Sequence, residues 1–222
     1  MRAVRVGLLD SGCAGALAGA SFADGPQGEA LCGPAGPDRV GHGSAIAALI
    51  RAACPSARLL NAQIFAGGAV TSPVAAAAGL DWLVAEGAEI VCMAFGLRPD
   101  RAILRAACAA AGRAGVVLVA AAPARGDPVH PAAYPEAIAV SGDARCAPGV
   151  VSALHTGTVD YGACPRPPEG HAGGGASFAT GHLCGVLAAA MAAGQVNGVA
   201  AARAHLDAVA RFHGPERRSA AG

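Results

Sequence analysis

The sequence predicts an α/β protein with a doubly wound, mainly parallel sheet of about six or seven strands and helices on both faces. Short apolar runs alternate with Ala-rich segments of helical length, and Gly, Pro or charged residues separate them. Hydrophobic residues make up 54% of the chain but aromatic residues only 4%, which favours closely packed layers of small side chains. Such alternation is typical of βαβ units with right-handed crossovers.

Five short apolar runs predict strands, because each is rich in aliphatic residues and bounded by turn or charged residues. They span residues 4–9, 57–65, 89–93, 116–121 and 137–140. Helices are predicted over residues 44–53, 73–86 and 101–113, and again near 177–193 and 198–212, beyond a loop-rich stretch that follows Gly149. We expect residues 1–214 to form a single domain and residues 215–222 a disordered tail.

Composition and charge exclude several classes of function. The net charge is +1 and no stripe of arginines interleaves with aromatic residues, so we expect no nucleic-acid partner. No apolar run reaches the roughly 20 residues of a membrane span, and the first residues do not resemble a signal peptide, which predicts a cytoplasmic protein without a membrane partner. The eight cysteines lack C-x-x-C spacing and are interpreted as reduced thiols. Neither the histidines nor the acidic residues have metal-site spacing, so no metal or cofactor is expected.

Three polar residues lie where chemistry is expected in such a fold. Asp10 directly follows the first predicted strand, at the edge where active groups of parallel sheets collect, although it is also a common turn residue. His42 lies between two glycines at the start of a predicted helix. Ser177 follows a glycine run at another helix start, where a serine is either a plain cap or an exposed nucleophile. Together they have the residue types of a nucleophile, its base and the carboxylate that orients the base.

Seven motifs in register resemble those of the subtilases, the subtilisin-like serine proteases, over roughly residues 4–192. The Asp, His and Ser motifs of that family resemble LLDSG, GHGSAIAALI and GGGASFATGHLCG in this chain. Weaker matches between them are NAQIF, IVCMAFG, GVVLVAAAP and HPAAYPEAIAVSG. The resemblance implies a serine endopeptidase with the catalytic triad Asp10, His42 and Ser177. It also implies substrate-binding roles for Ala94, Phe95, Gly96, Ala122 and Pro123, with a core role for Phe95 equally open.

One departure from the family concerns the oxyanion. Where the family has an Asn whose side chain donates to the oxyanion, this chain has Ala124, preceded by Pro123. The backbone N–H of Ser177, the side chain of Arg125 or a group from a partner remain as donors. A pseudoprotease that binds peptides as a chaperone or adaptor is therefore the alternative to an active enzyme.

The compact chain further resembles subtilases that remove leader peptides from modified bacterial peptides, the group that includes the maturation protease of quinohemoprotein amine dehydrogenase. This implies narrow specificity, with a precursor peptide as the partner, either alone or together with its modifying enzyme.

Overall fold

Ten strands form one sheet in the computed structural model, which describes residues 2–65, 68 and 70–216. The strands, in chain order, are β1 (Val4–Asp10), β2 (Ala18–Asp24), β3 (Ala30–Pro34), β4 (Ala57–Gln63), β5 (Ile90–Met93), β6 (Val117–Ala121), β7 (Ala137–Gly142), β8 (Val151–Ala153), β9 (Tyr161–Ala163) and β10 (Phe212–His213). The helices are α1 (His42–Ala53), α2 (Pro73–Ala85), α3 (Ala102–Arg113), α4 (Ala176–Ala192) and α5 (Gly198–Val209).

The sheet has the order β10-β8-β9-β7-β6-β5-β1-β4-β2-β3. Its central strands are all parallel, and only the β2–β3 and β8–β9 pairs are antiparallel among the described strands. The predicted α/β class with a mainly parallel sheet is confirmed, but the sheet has more strands than the six or seven expected. The additional strands are short or lie near the edges, where pairing with a neighbour holds a segment that has no apolar pattern of its own.

Helices cover both faces of the sheet. Successive side chains of a strand point to opposite faces, so Leu8 of β1 belongs to one apolar core and Leu9 to the other. Helices α1, α4 and α5 contribute to the first core, and α2 and α3 contribute to the second. The sheet therefore separates two apolar layers, each closed by helices.

Helix α4 lies in the middle of the first layer. Thirteen of its 17 residues are buried, and they are distributed around the whole helix rather than on one side. Burial of this kind requires contact on every side, which the sheet and α1 supply.

Two expectations from the sequence concern membrane-spanning helices and the C-terminal tail. Within the described part of the chain, none of the helices combines the length and the apolarity needed to cross a bilayer. Residues 217–222, most of the expected tail, lie outside the described residues.

Candidate active site

The carboxyl end of β1 meets the first turn of α1. Asp10 is the last residue of β1 and His42 the first residue of α1. Nδ1 of His42 lies 2.8 Å from Oδ1 and 3.0 Å from Oδ2 of Asp10, whose side chain also accepts a hydrogen bond from the N–H of Ser11 at 2.7 Å. Asp10 is only 1% exposed, so its carboxylate faces the imidazole and not solvent. The structure thus pairs two of the three residues singled out in the sequence.

The imidazole of His42 is held in an arrangement suited to a base. The hydrogen bond to Asp10 raises the pKa of His42, burial acts in the opposite direction, and the charges of Asp10 and Asp38 raise it further, so the net pKa lies above its ordinary value. A neutral ring that donates Nδ1–H to the carboxylate keeps the lone pair of Nε2 for a second partner. The ring also packs against Phe178, with the two ring centroids 5.7 Å apart.

Ser177 lies at the start of α4 but does not cap it. The N-cap residue is Gly175, which has no side chain to offer, and Ser177 is the second residue of the helix. Its hydroxyl donates to the carbonyl oxygen of Ala94 at 2.8 Å, just beyond the end of β5. The structure therefore contradicts the reading of Ser177 as a plain cap.

The backbone N–H of Ser177 is free. Within the described residues it has no hydrogen-bond acceptor, as expected for the first turn of a helix. It lies at the positive end of the α4 dipole, where helix N–H groups favour a negatively charged ligand. The hydroxyl and the N–H of one residue are thus both available at the same helix end.

Asp10, His42 and Ser177 line one cavity of about 410 Å³. This volume is typical of ligand-binding clefts. One wall is aromatic, where the rings of Phe65 and Phe95 meet edge to face with their centroids 6.0 Å apart. The cavity therefore combines an acid–base pair, a serine and an apolar wall.

The residues predicted to bind substrate fall into two groups. Ala94, Phe95 and Gly96 line the cavity that contains Ser177. Phe95 is 9% exposed and also packs in the α2/α3 core, so one side chain both lines the cavity and belongs to the core. Ala122 and Pro123 line a separate cavity of about 450 Å³. That cavity is slightly larger, but none of Asp10, His42 and Ser177 lines it, so we take the smaller one as the candidate site.

The two residues after Pro123 that were considered for the oxyanion-donor position do not lie close to Ser177 in the structure. Ala124 and Arg125 are both exposed, and neither is among the described residues that line the cavity of Ser177. Ala124 lines a third cavity, of about 260 Å³. Of the two donors that the chain itself offers, the N–H of Ser177 and the side chain of Arg125, the N–H of Ser177 is the one at the candidate site.

Three further polar residues support the site and were missed in the sequence. Gln63, the register partner of Asp10 on β4, donates to the carbonyl of Ser11 at 2.7 Å. The hydroxyl of Ser11 accepts the N–H of Gly43 at 3.0 Å, and Asp38 accepts hydrogen bonds from Ser44. A polar residue between Ala62 and Ile64, inside a predicted strand, was a detectable signal for Gln63. Nothing comparable marked Asp38, whose role depends on how a loop folds back.

Gly43 allows the close approach of these segments. A Cβ at this position would lie 2.2 Å from the carbonyl oxygen of Gly12 and 3.2 Å from the Cβ of Asp10. Only a glycine therefore allows α1 to start directly against the loop after β1. No group of three or more His, Cys, Asp or Glu residues in the described part of the chain could hold a metal ion.

The chain shares its fold with a protease. A solved structure described as the crystal structure of a lanthipeptide protease superposes with a TM-score of 0.65, over 91% of this chain and 78% of that one. The two sequences are 16% identical, so the likeness shows the fold alone. No family model matches the sequence, and no curated protein matches it either. The fold therefore does not specify a particular chemistry, which depends on the residues of the site.

Proposed function

We propose that this chain is a subtilisin-like serine endopeptidase that cleaves one peptide bond of a precursor peptide with the triad Asp10, His42 and Ser177. The main observation in support is the pairing of Nδ1 of His42 with both carboxylate oxygens of Asp10, in the cavity that Ser177 lines. This is the arrangement that a serine nucleophile requires, because its hydroxyl is weak until an oriented base takes the proton.

The reaction proceeds in two halves. Oγ of Ser177 attacks the carbonyl carbon of the scissile bond, and its proton passes to Nε2 of His42. The imidazolium remains paired with Asp10 while His42 gives the proton to the leaving amine and the C–N bond breaks. Water then attacks the acyl-enzyme with the same base, which releases the carboxylic acid and restores Ser177.

Substrate binding prepares the nucleophile. The segment Ala94–Gly96 pairs with an extended peptide through β-type hydrogen bonds. The carbonyl oxygen of Ala94 now accepts the hydroxyl of Ser177. A peptide N–H that donates to this carbonyl displaces the hydroxyl, which then turns toward His42.

The oxyanion is stabilised less strongly than in the family. The N–H of Ser177 donates to it at the start of α4, but Ala124 supplies no side-chain amide. Loss of one such donor costs about 10²–10³ in turnover. We therefore propose a slow enzyme with narrow specificity, in which the bound precursor supplies the second donor.

The fold neighbour and the resemblance both support the substrate class that we propose. The neighbour is described as a lanthipeptide protease. Together with the motifs of the sequence, this supports a modified precursor peptide whose leader is removed, presented alone or with its modifying enzyme.

A peptide-binding pseudoprotease is the second candidate. The hydroxyl of Ser177 is bonded to Ala94 and not to His42, and position 124 lacks the amide of the family. Both observations fit a site that retains the peptide groove but not the reaction.

Covalent labelling separates the two candidates. A fluorophosphonate probe reacts only with an activated serine, so we expect its adduct on Ser177 of the native chain, located by mass spectrometry. His42→Ala should abolish labelling, as Ser177→Ala must. Ser72→Ala is the matched control, because Ser72 caps α2 through its hydroxyl and should leave labelling unchanged.

The outcomes are distinct. An adduct on Ser177 that requires His42 supports the endopeptidase. A folded native chain that gives no adduct, with or without peptide present, overturns it in favour of the pseudoprotease.

A further inference from the structure

The N-terminus of α1 is capped by side chains from outside the helix. Its N-cap residue, Gly41, has a left-handed backbone with φ of 81° and offers no side chain to the free N–H groups of the first turn. Two of those groups donate elsewhere: Gly43 N–H to Oγ of Ser11 at 3.0 Å and Ser44 N–H to Oδ2 of Asp38 at 2.9 Å. Asp38 therefore acts as a capping residue of α1, although it lies three residues before the N-cap position.

The carboxylate of Asp38 organises the whole turn before α1. Oδ1 accepts the N–H groups of Val40 at 3.1 Å and Gly41 at 2.8 Å. Oδ2 accepts the N–H of Ser44 and also its hydroxyl, the latter at 2.7 Å. Burial raises the pKa of Asp38, but the hydrogen bonds from Ser44 and Gly41 outweigh it, so the net pKa lies below its ordinary value. The group is therefore a carboxylate at neutral pH.

His42, the first residue of α1, lies at the positive end of the helix dipole. That end opposes a second positive charge, so on its own it would disfavour the imidazolium. The negative charge of Asp38 lies at the same end and opposes this effect. The other groups that the structure places against the ring are Asp10 from β1 and the uncharged Phe178 from α4.

We propose that Asp38 is a positioning residue for His42: its carboxylate fixes the turn that carries the imidazole and offsets the positive end of α1, so that the ring can accept the proton of Ser177. The kinetic part of this inference rests on the proposed function. The effect of Asp38 on the protonation of the His42 ring does not depend on that function.

The direct test is an NMR titration of the His42 ring, which needs no substrate. Asp38→Asn keeps the shape and one acceptor oxygen but removes the second acceptor and the charge, and we expect the pKa of His42 to fall. Asp38→Ser, which retains an acceptor suited to a helix start, is a second uncharged variant should the first not fold. Ser44→Ala removes one hydrogen bond but leaves the charge, so the titration should stay close to that of the native chain.

Asp24→Asn is the matched control. The carboxylate of Asp24 accepts the hydroxyl of Ser72 at the start of α2, on the other face of the sheet. It should leave the titration of His42 unchanged. An unchanged titration in both uncharged variants of Asp38, or an equal shift in Asp24→Asn, overturns the proposal.

Kinetics on a cleaved peptide adds a second readout. In Asp38→Asn the acid limb of kcat/KM should move to lower pH, because the weaker base loses its proton earlier. The alkaline plateau should fall about two- to fivefold, since the imidazolium is less stabilised. A purely structural defect lowers the rate at every pH without moving the limb. A shifted titration in a chain that neither cleaves nor labels would refute the proposed function and leave the inference about Asp38 intact.

Discussion

Asp10 is a buried carboxylate with a half-buried partner. Its side chain is 2% exposed, whereas that of His42 is 31% exposed. The exposure of the ring weakens their attraction by solvent screening, but the buried carboxylate keeps it stronger than that of a surface pair. The pair therefore contributes to stability in a way that depends on the protonation of His42.

The sign of this dependence follows from the raised pKa of His42. The hydrogen bond to Asp10 sets the pKa of His42 in the folded chain above the unfolded value of about 6.5. The stabilisation by the pair is therefore complete below that pH and is lost as the pH rises through the folded pKa. Asp10→Asn should lower the free energy of unfolding more at about pH 5.5 than at about pH 9, as measured by urea denaturation. Asp207→Asn is the control, because its carboxylate pairs with His155 at 2.9 Å on the surface and should give a smaller difference. Equal losses for Asp10→Asn at the two pH values would contradict the prediction.

The residues of the site differ in how far the sequence revealed them. Asp10, His42 and Ser177 stand in local motifs at the ends of predicted elements, so they were found from the sequence. Ser11 caps α1 from a segment 32 residues away, and that depends on an approach in space that no local pattern encodes. Asp38 is close in sequence to the groups that it caps, but a carboxylate three residues before the N-cap position does not match the usual capping pattern. The hydrogen bond of Ser177 to Ala94 is likewise a tertiary contact.

At the scale of elements, two glycines of α4 face α1. A Cβ on Gly185 would lie 2.7 Å from the Cβ of Ala53 and 3.4 Å from the backbone of Ile50, so the helices themselves would have to separate. A Cβ on Gly181 would meet only the ends of the Ile46 and Leu49 side chains, at 3.2 Å or more. The distance between α1 and α4, the two helices that begin near His42 and Ser177, is therefore set more strictly at Gly185.

Gly185→Ala and Gly181→Ala form a matched pair on one helix. Both gain the same helix propensity, about 1 kcal/mol, but only the first forces backbone apart. We expect Gly185→Ala to be less stable than Gly181→Ala by about 1–3 kcal/mol in urea denaturation. It should also label more slowly with the fluorophosphonate probe, because α4 carries Ser177. Equal stability of the two variants would show that the helices can separate freely.

The sequence predicted the central elements better than the peripheral ones. β1 and β4 to β7 are largely buried on both faces, which produces the mostly apolar runs that were recognised. β8 and β9 have three residues each and β10 has two, too few for any periodicity. β3 is largely exposed and pairs only with β2, so its strand conformation comes from its neighbour.

At the scale of the whole molecule, the eight cysteines are all free and mostly buried. Cys32 is exposed and Cys13 is partly exposed, whereas the other six are buried. Burial raises the pKa of Cys13 to about 11, so little of it is thiolate at neutral pH. The fold therefore leaves one readily reactive thiol.

Thiol counting checks this arrangement. A chromogenic disulfide reagent added to the native chain should titrate Cys32 quickly and Cys13 slowly, and in denaturant it should titrate all eight. Cys32→Ser should remove the fast phase. Several fast thiols in the native chain would mean that the two apolar layers are more open than the structure indicates.

The place of α4 in the chain has a consequence for biosynthesis. A growing polypeptide acquires Asp10 and His42 early, but Ser177 and the buried helix it begins come late. Until then the face of the sheet that α4 covers has no partner, and the charge pair has no nucleophile. The hydrolytic activity proposed for the site therefore cannot appear on a growing chain until the helix that closes the first apolar core has also been made.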